Sequence, residues 1–232
     1  MSRKKVERMT AAMRINHWVV AISMVVAVVT GLYIGHPYYQ SFIADPAADK
    51  YVMAYNRLAH FIVAIIFDVS SIVVAYLYFF SRFEKAYKKL LPTPKNILVF
   101  IAVVLNLITF NRVKKFDSSQ ADSFNAVYFF VFHLLLLWML FTGLQLYVHG
   151  LESGQSSIGT WWPTLLHVAT DWTVGVTGGT FMDVRIAHHY SMYAIIAWTM
   201  FHIYYQVWRT IFWQEGDIAI AFGGSKFANE KS

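Results

Sequence analysis

The segment IAHHYSMYAIIAWTMFHIYYQVW, residues 186–208, is 23 residues long and contains no Asp, Glu, Lys or Arg. A helix of that length rises about 35 Å, which is enough to cross the ~30 Å hydrocarbon core of a bilayer. The segment nevertheless carries three histidines, His188, His189 and His202. Metal-ligating or ionisable groups within a span are costly and are candidate functional residues by default. The segment therefore predicts a membrane helix that carries chemistry.

Three further apolar runs have the length of a membrane span, and a fourth run is shorter. Residues 18–35, 61–80 and 126–148 have 18 to 23 residues each. Residues 97–110 number only fourteen, which favours an interfacial or re-entrant helix. We therefore expect an all-α membrane protein, a four-helix transmembrane bundle with one short interfacial helix, in a single domain over residues 1–232. No internal repeat stands out.

The composition supports a membrane protein and excludes several other classes. Hydrophobic residues make up 57% of the 232 residues and charged residues 14%, against about 25% charged residues in soluble domains. The formal net charge is +6, but the basic residues flank apolar runs, so orientation in a bilayer explains them better than nucleic-acid binding. The chain has no Cys, which excludes disulfides, cysteine-ligated iron–sulfur clusters, a catalytic thiol and covalently attached c-type haem.

The distribution of Lys and Arg predicts the orientation in the membrane. With four spans, sixteen of the 19 basic residues fall on one side, and the other side holds only Lys50, Arg57 and Arg185. A fifth span at residues 97–110 would reduce this bias to eleven against eight. Because basic residues concentrate on the cytoplasmic side, both termini are predicted to be cytoplasmic, in a bacterial inner membrane.

Two histidines of the last run share one helix face. His188 and His202 are 14 residues apart, which leaves them within about 40° of each other and ~21 Å apart along the axis. In the predicted orientation, His17 lies at the depth of His202, and His60 lies at the depth of His188. Two neutral imidazoles are suited to hold a haem iron, and with both axial positions filled the site only passes electrons. The sequence therefore predicts two b haems, ligated by His17/His202 and by His60/His188.

An Arg stands three residues before a His at three places. The pairs are Arg14 with His17, Arg57 with His60, and Arg185 with His188. At this spacing the guanidinium lies one turn away, on the water side of the imidazole. Haem propionates are carboxylates that need a cation there, so all three arginines are predicted to bind them. Arg also marks helix ends, but Arg57 and Arg185 lie on the side where that tendency disfavours them.

Other polar residues leave alternatives open. His133 is the main rival to His17 as an inner ligand. Gly31 lies on the face of His17 at the outer depth, where it admits a porphyrin or serves ordinary helix packing. Asp68 is either a proton relay or a neutral, hydrogen-bonded carboxylic acid. Three outer-side histidines have a spacing that matches no compact metal motif, namely His36, His149 and His167.

Several stretches resemble the cytochrome b subunit of membrane-bound nickel–iron hydrogenases. They are RINHW at 14–18 with TGLYIG at 30–35, NRLAHF at 56–61, RIAHH at 185–189 with HIY at 202–204, and GGSKF at 223–227. The double His followed fourteen residues on by His-x-Tyr is the most specific of them. The likeness covers nearly the whole chain and is weakest over residues 92–123. Related subunits of formate dehydrogenases share the four helices and two haems.

The resemblance implies partners and a direction of electron flow. In that family an iron–sulfur small subunit and a nickel–iron large subunit oxidise H2 on the outer face. Electrons then pass through the outer and inner haems to a quinone, menaquinone or ubiquinone, near the cytoplasmic surface. Asn125 resembles the quinone-site Asn of the family, and Tyr204 is implied beside it. That family commonly has His before this Asn, where the chain has Phe124. Asn125 is alternatively a helix cap before an apolar run.

The sequence is therefore interpreted as a dihaem cytochrome b that anchors a hydrogenase and reduces quinone, without H2 chemistry of its own. Its expected partners are the small and large hydrogenase subunits, membrane lipid and quinone, and not nucleic acid. One alternative keeps the architecture and docks a formate dehydrogenase or a similar periplasmic reductase. A second alternative is an ion or solute transporter that uses Asp68 and His133, although transporters usually show inverted repeats and broken helices.

Overall fold

Helices make up most of the computed structural model, which describes residues 3–37, 46–81, 91–109, 120–150, 161–212, 214 and 217–229. The helices are α1 Ala11–Gly35, α2 Pro46–Phe79, α3 Pro94–Ile108, α4 Ala121–His149, α5 Trp161–Thr170, α6 Trp172–Thr177, α7 Phe181–Phe212 and α8 Asp217–Gly223. Two short strands, β1 Arg3–Glu7 and β2 Ser225–Asn229, lie near the two ends of the described chain.

Three of the described helices are long and apolar enough to cross a membrane. These candidate spans are Ala11–Gly35, Tyr51–Phe79 and Ala121–His149. Helix α2 illustrates their surface, because Ile62, Ile65 and Ile72 are all exposed. Helices with apolar side chains all round are stable in lipid or in a protein core, not in water. The prediction of a multi-pass helical membrane protein is therefore confirmed. Helix α7 has 32 residues but is not among these three candidates.

The shortest apolar run forms helix α3, as the sequence predicts. Its 15 residues rise about 22 Å, less than the hydrocarbon thickness of a bilayer. Pro94 occupies the first helical position, where its missing N–H costs nothing, and the Thr93 hydroxyl accepts from the Asn96 N–H at 3.3 Å. Phe100 stacks on Phe124 of α4 with ring centroids 5.2 Å apart. The placement of α3 at the membrane interface stays a prediction.

A two-stranded antiparallel ribbon departs from the all-α prediction. Strand β1 pairs with β2, with Arg3 opposite Asn229 and Glu7 opposite Ser225. Each strand has only five residues, and the partners come from opposite ends of the described chain. No hairpin turn marks such a pair in the sequence. Gly224, directly before β2, has φ +77°, and a Cβ there would collide with Arg14. Glycine is the residue that fits this turn.

The described chain divides into two compact units. Unit 1 comprises Met1–Phe130 and Met200–Ser232, and unit 2 comprises Val131–Thr199. Unit 1 contains the ribbon, α1 to α3, α8, the start of α4 and the end of α7. Unit 2 contains the rest of α4 and α7, together with α5 and α6. The single domain expected over residues 1–232 stays a prediction.

Helices α1 and α2 run antiparallel in unit 1 and are joined by hydrogen bonds at two heights. The Asn16 side-chain amide donates to the Ser70 carbonyl at 3.0 Å, near the start of α1. Further along α1, Thr30 bonds to His60 of α2 at 2.9 Å. About 20 Å of helix separates His17 from Thr30. His17 and His60 therefore lie at two different depths of the α1–α2 pair.

Polar side chains join helices α5 and α6 to α4 in unit 2. Gln145 and Thr170 are fully buried and hydrogen-bond to each other. The Gln145 amide also donates to the Asp171 carboxylate at 3.1 Å, and Nδ1 of His167 donates to it at 3.0 Å. The hydrogen bond from His167, with that from Gln145, holds the pKa of Asp171 below its ordinary value of 3.8.

Candidate haem-binding site

Both predicted inner ligands belong to unit 1. Nδ1 of His17 on α1 and Nδ1 of His202 on α7 are buried. Both side chains are half-buried. The His202 ring contacts Phe129 edge to face, with ring centroids 5.8 Å apart. The His17 ring contacts Trp18 in the same manner at 5.7 Å. Two imidazoles in an apolar and aromatic setting form a donor set suited to an iron porphyrin.

His17 has an unsatisfied ring nitrogen. Its Nδ1 is buried and has no hydrogen-bond partner within the described part of the chain. A buried polar atom without a partner is rare in native proteins and calls for an explanation, such as a bound ligand or ion. A cofactor bound beside the ring would change its orientation and its surroundings. The residues at this level therefore fit a bound haem.

His60 is held by a hydroxyl of the neighbouring helix. Nδ1 of His60 lies 2.9 Å from Oγ1 of Thr30. The Thr30 hydroxyl also lies 2.8 Å from the carbonyl oxygen of Val26 and 3.2 Å from that of Ala27. Carbonyl oxygens only accept, so the single hydroxyl proton of Thr30 is directed at them. Thr30 then accepts from Nδ1–H of His60, and the neutral ring keeps its lone pair on Nε2.

His188 has the same arrangement in unit 2. Its Nδ1 lies 2.9 Å from Oγ1 of Thr142, which donates to the Trp138 carbonyl at 2.8 Å. The next residue is Gly143, where an added Cβ would lie 3.2 Å from Cε1 of His188. The helix backbone therefore approaches this ring more closely than a side chain would comfortably allow.

These threonines were missed in the sequence, although a signal was present. Thr-Gly-Leu occurs at residues 30–32 and again at 142–144, each time within an apolar run. In each case the Thr bonds to a His that stands three residues after an Arg. A three-residue repeat was too short to notice without its partner histidines.

The three predicted propionate-binding arginines differ in their surroundings. The Arg14 guanidinium donates to the Met9 carbonyl at 3.1 Å and lies against Gly224. Arg57 and Arg185 are both exposed. An exposed cation one turn from a His has room to bind a carboxylate, whereas Arg14 already uses part of its hydrogen-bonding capacity. Propionate binding by the three side chains stays a prediction.

The remaining histidines do not form a second cluster. His133, the rival inner ligand, is exposed. His189 packs edge-on against Tyr193 at 5.1 Å, and His149 stacks on Phe181. Within the described ranges there is no group of three or more His, Cys, Asp or Glu side chains that could hold a metal ion. The histidines therefore favour ligation of a haem iron by two imidazoles over a metal site built from three or more side chains.

Comparisons with known proteins agree with a haem-binding protein. The family model described as prokaryotic cytochrome b561 matches residues 8–224. The chain belongs to the prokaryotic cytochrome b561 family. This membership, with the relatives below, confirms the resemblance found in the sequence. The family is that of a b-type cytochrome, so its cofactor is haem b.

Several relatives of this cytochrome b561 chain carry the name "Probable Ni/Fe-hydrogenase B-type cytochrome subunit". The protein of Cupriavidus necator is 24% identical over 218 residues, covering 92% of this chain and 84% of that protein. The protein of Azotobacter chroococcum is 28% identical over 231 residues, covering 96% and 91%. The protein of Bradyrhizobium diazoefficiens is 28% identical over 226 residues, covering 93% and 83%.

The predicted quinone residues lie around an aromatic cluster in unit 1 of the cytochrome. Oδ1 of Asn125 is buried and has no hydrogen-bond partner among the described residues. Its neighbour Phe124 is buried and contacts the Tyr205 ring at 5.4 Å. Tyr204, the residue named from the sequence, is 63% exposed, whereas Tyr205 is 5% exposed. Sequence reasoning missed Tyr205 because adjacent residues on a helix point about 100° apart.

Asp68, the predicted relay or buried acid, is half-buried on α2. It lies two residues before Ser70, whose carbonyl bonds to Asn16. The described residues provide no chain of polar side chains that leads from Asp68 to His17 or His202. Both roles for Asp68 stay open.

Proposed function

We propose that this chain is the b-type cytochrome subunit that carries electrons from a nickel–iron hydrogenase to a membrane quinone. The observation that carries the proposal is the presence in unit 1 of two imidazoles with buried Nδ1 atoms, His17 of α1 and His202 of α7, in a chain of a b-type cytochrome family. The names of the relatives supply the hydrogenase. An iron–sulfur small subunit and a nickel–iron large subunit are the proposed partners.

Two haems are proposed, at two depths of the bundle. His17 with His202 would hold the inner one and His60 with His188 the outer one, and Arg14, Arg57 and Arg185 would bind their propionates. A bound haem supplies a reversible one-electron carrier at each depth. The role of the protein is then to fix the imidazoles and to neutralise the carboxylates. The proposal has support from the ~20 Å of helix between His17 and the level of His60.

The ribbon supports helix α7 as a fourth span. Because β1 and β2 pair in one sheet, they lie on the same side of the membrane, and the chain between them crosses an even number of times. Three described helices are span candidates. Helix α7 rises about 48 Å and can supply a fourth crossing, whereas α3 is too short. A five-span arrangement would place the strands on opposite sides.

Electrons are proposed to enter at the outer depth and to leave at the inner depth. The count of basic residues puts His60 and His188 outside, facing the hydrogenase, and His17 and His202 near the cytoplasm. Asn125 and Tyr204 are the proposed quinone contacts. The unsatisfied Oδ1 of Asn125 can accept from a quinol hydroxyl, and the amide N–H groups of the same side chain can donate to a quinone carbonyl.

Reduced-minus-oxidised spectra of the purified chain test the cytochrome, and co-purification tests the partner. We expect a b-type spectrum with two haems per chain and recovery of hydrogenase subunits from membranes. Recovery of a formate dehydrogenase instead would support the alternative reductase. A chain purified without any haem would overturn the proposal in favour of a transporter. The continuous helices of the three described span candidates argue against that alternative, since transporters often use broken helices.

A further inference from the structure

The two Thr–His contacts have matching geometry in the two units. Nδ1 of the His lies 2.9 Å from Oγ1 of the Thr in both. In both, Oγ1 lies 2.8 Å from the carbonyl four residues back and 3.2 Å from the carbonyl three residues back. Thr30 and Thr142 are themselves buried. The same three-way arrangement has thus formed on two different helix pairs.

The arrangement selects one tautomer of each imidazole. A Thr hydroxyl has one proton, and the nearby backbone carbonyls take it, so the oxygen is left to accept. Its only way to bond to a neutral imidazole is then to accept from Nδ1–H. The other nitrogen, Nε2, must carry the lone pair, which is the form that binds a metal. The hydroxyl also restrains rotation of the ring about its bond to Cβ.

We propose that Thr30 and Thr142 are positioning residues that preset His60 and His188 as Nε2 ligands and lower the reduction potential of the haem that each histidine ligates. This inference rests on the proposed function, because it requires both histidines to be haem ligands. A hydrogen bond accepted from Nδ1–H raises the basicity of a ligating imidazole. A more basic ligand stabilises the ferric state, and hydrogen bonding around the ligands is one of the determinants of haem potential.

Valine and serine substitutions separate this role from simple packing. Thr30→Val and Thr142→Val keep the shape of the side chain and remove the acceptor. Redox titration of each variant should show one of the two haems shifted to a higher potential and the other unchanged. Thr30→Ser and Thr142→Ser retain the hydroxyl and should restore the wild-type potential. The low-spin electron paramagnetic resonance signal of the affected haem should change in the Val variants and recover in the Ser variants.

Two other threonines serve as matched controls. Thr109 and Thr177 each donate to the carbonyls four and three residues back, and no histidine is hydrogen-bonded to either of them among the described residues. Thr109→Val and Thr177→Val should leave both potentials unchanged. If these controls shift a potential as much as Thr30→Val does, the effect is not due to the Nδ1–H bond and the proposal is overturned.

The outcomes distinguish this inference from the proposed function. A wild-type protein with two b haems whose potentials are unaffected by both Val variants overturns the threonine role and leaves the cytochrome intact. Val variants that shift different haems contradict the pairing of His60 with His188. A wild-type protein without haem overturns the proposed function itself. If one Val variant does not accumulate in membranes, the Val variant at the other threonine still tests the role of the hydroxyl, through its haem potential and its low-spin signal.

Discussion

His60 and His17 lie in the same unit but differ in the hydrogen bonding of Nδ1. The ring of His60 is bonded to Thr30, which fixes its tautomer from within the protein. The ring of His17 has a buried Nδ1 with no hydrogen-bond partner among the described residues. The protein itself therefore holds the His60 ring in one orientation, whereas no described side chain holds Nδ1 of His17. This difference predicts separate effects of substitutions at the two levels.

Removal of an outer ligand should have the largest effect. His60→Ala should lose about half of the haem, because one of the two proposed sites loses an axial ligand that nothing nearby replaces. Pyridine haemochrome analysis of purified protein measures this. His189→Ala is the matched control, since His189 packs on Tyr193 and is not one of the four proposed haem ligands. Full haem content in His60→Ala would show that His60 is not a ligand.

Loss of the inner ligand should separate electron entry from quinone reduction. His17→Ala should leave one haem reducible by H2 while quinone reduction stops, and His188→Ala should stop reduction of both haems. The reason is depth, since electrons are proposed to enter at the outer level. Stopped-flow absorbance of the hydrogenase complex measures each step. The opposite pattern would reverse the proposed orientation.

A change at Asn125 should affect only the quinone step. Asn125→Asp should lower the rate of quinone reduction by about tenfold, the effect of one lost hydrogen bond of roughly 1.4 kcal/mol, and should retain both haems. Asn96→Asp, on the exposed start of α3, serves as the control. An unchanged rate in Asn125→Asp would show that this side chain does not contact the quinone. The alternative role as a helix cap is wrong, because α4 begins at Ala121 and Asn125 lies within the helix.

Gly143→Ala should give a smaller, spectroscopic effect. The added Cβ would lie 3.2 Å from Cε1 of His188, so the ring has to shift by a few tenths of an ångström. The low-spin signal of one haem should change while the haem content stays near that of wild type. Gly175→Ala is the control, because a Cβ there meets nothing within 4 Å. It should leave the spectrum as it is and stabilise α6 slightly, by at most about 1 kcal/mol.

The smallest expected effect is a loss of stability in acid at Asp171. The hydrogen bonds from His167 and Gln145 lower its pKa in the folded protein below 3.8. Its contribution to stability is therefore present above pH 3.8 and is lost as the pH falls through the lowered pKa. Asp171→Asn removes this contribution, so the thermal midpoint should differ from wild type at neutral pH and converge with it in strong acid. A difference that is independent of pH would contradict this linkage.

The sequence predicted the features that depend on local composition. Apolar runs gave three helices that qualify as spans, and the short run of residues 97–110 gave α3. Features that depend on distant partners were missed. Strand β2 has no local signal, because its partner is the first described element. In the sequence, Thr142 is one threonine within an apolar run. Its role depends on His188, which is 46 residues later and is brought beside it only in the fold. Tyr205 was passed over in favour of its exposed neighbour.

The ribbon has a consequence for the order of biosynthesis. Strand β2 is translated after every other described element, so β1 has no strand to pair with while the helices are being inserted. Pairing of β1 with β2 therefore comes only after the described helices have been synthesised, and with it the packing of Arg14 against Gly224. Because paired strands lie on the same side of a membrane, the ribbon forms only when the chain between them crosses an even number of times. A nascent chain with one helix misinserted would remain open at the ribbon.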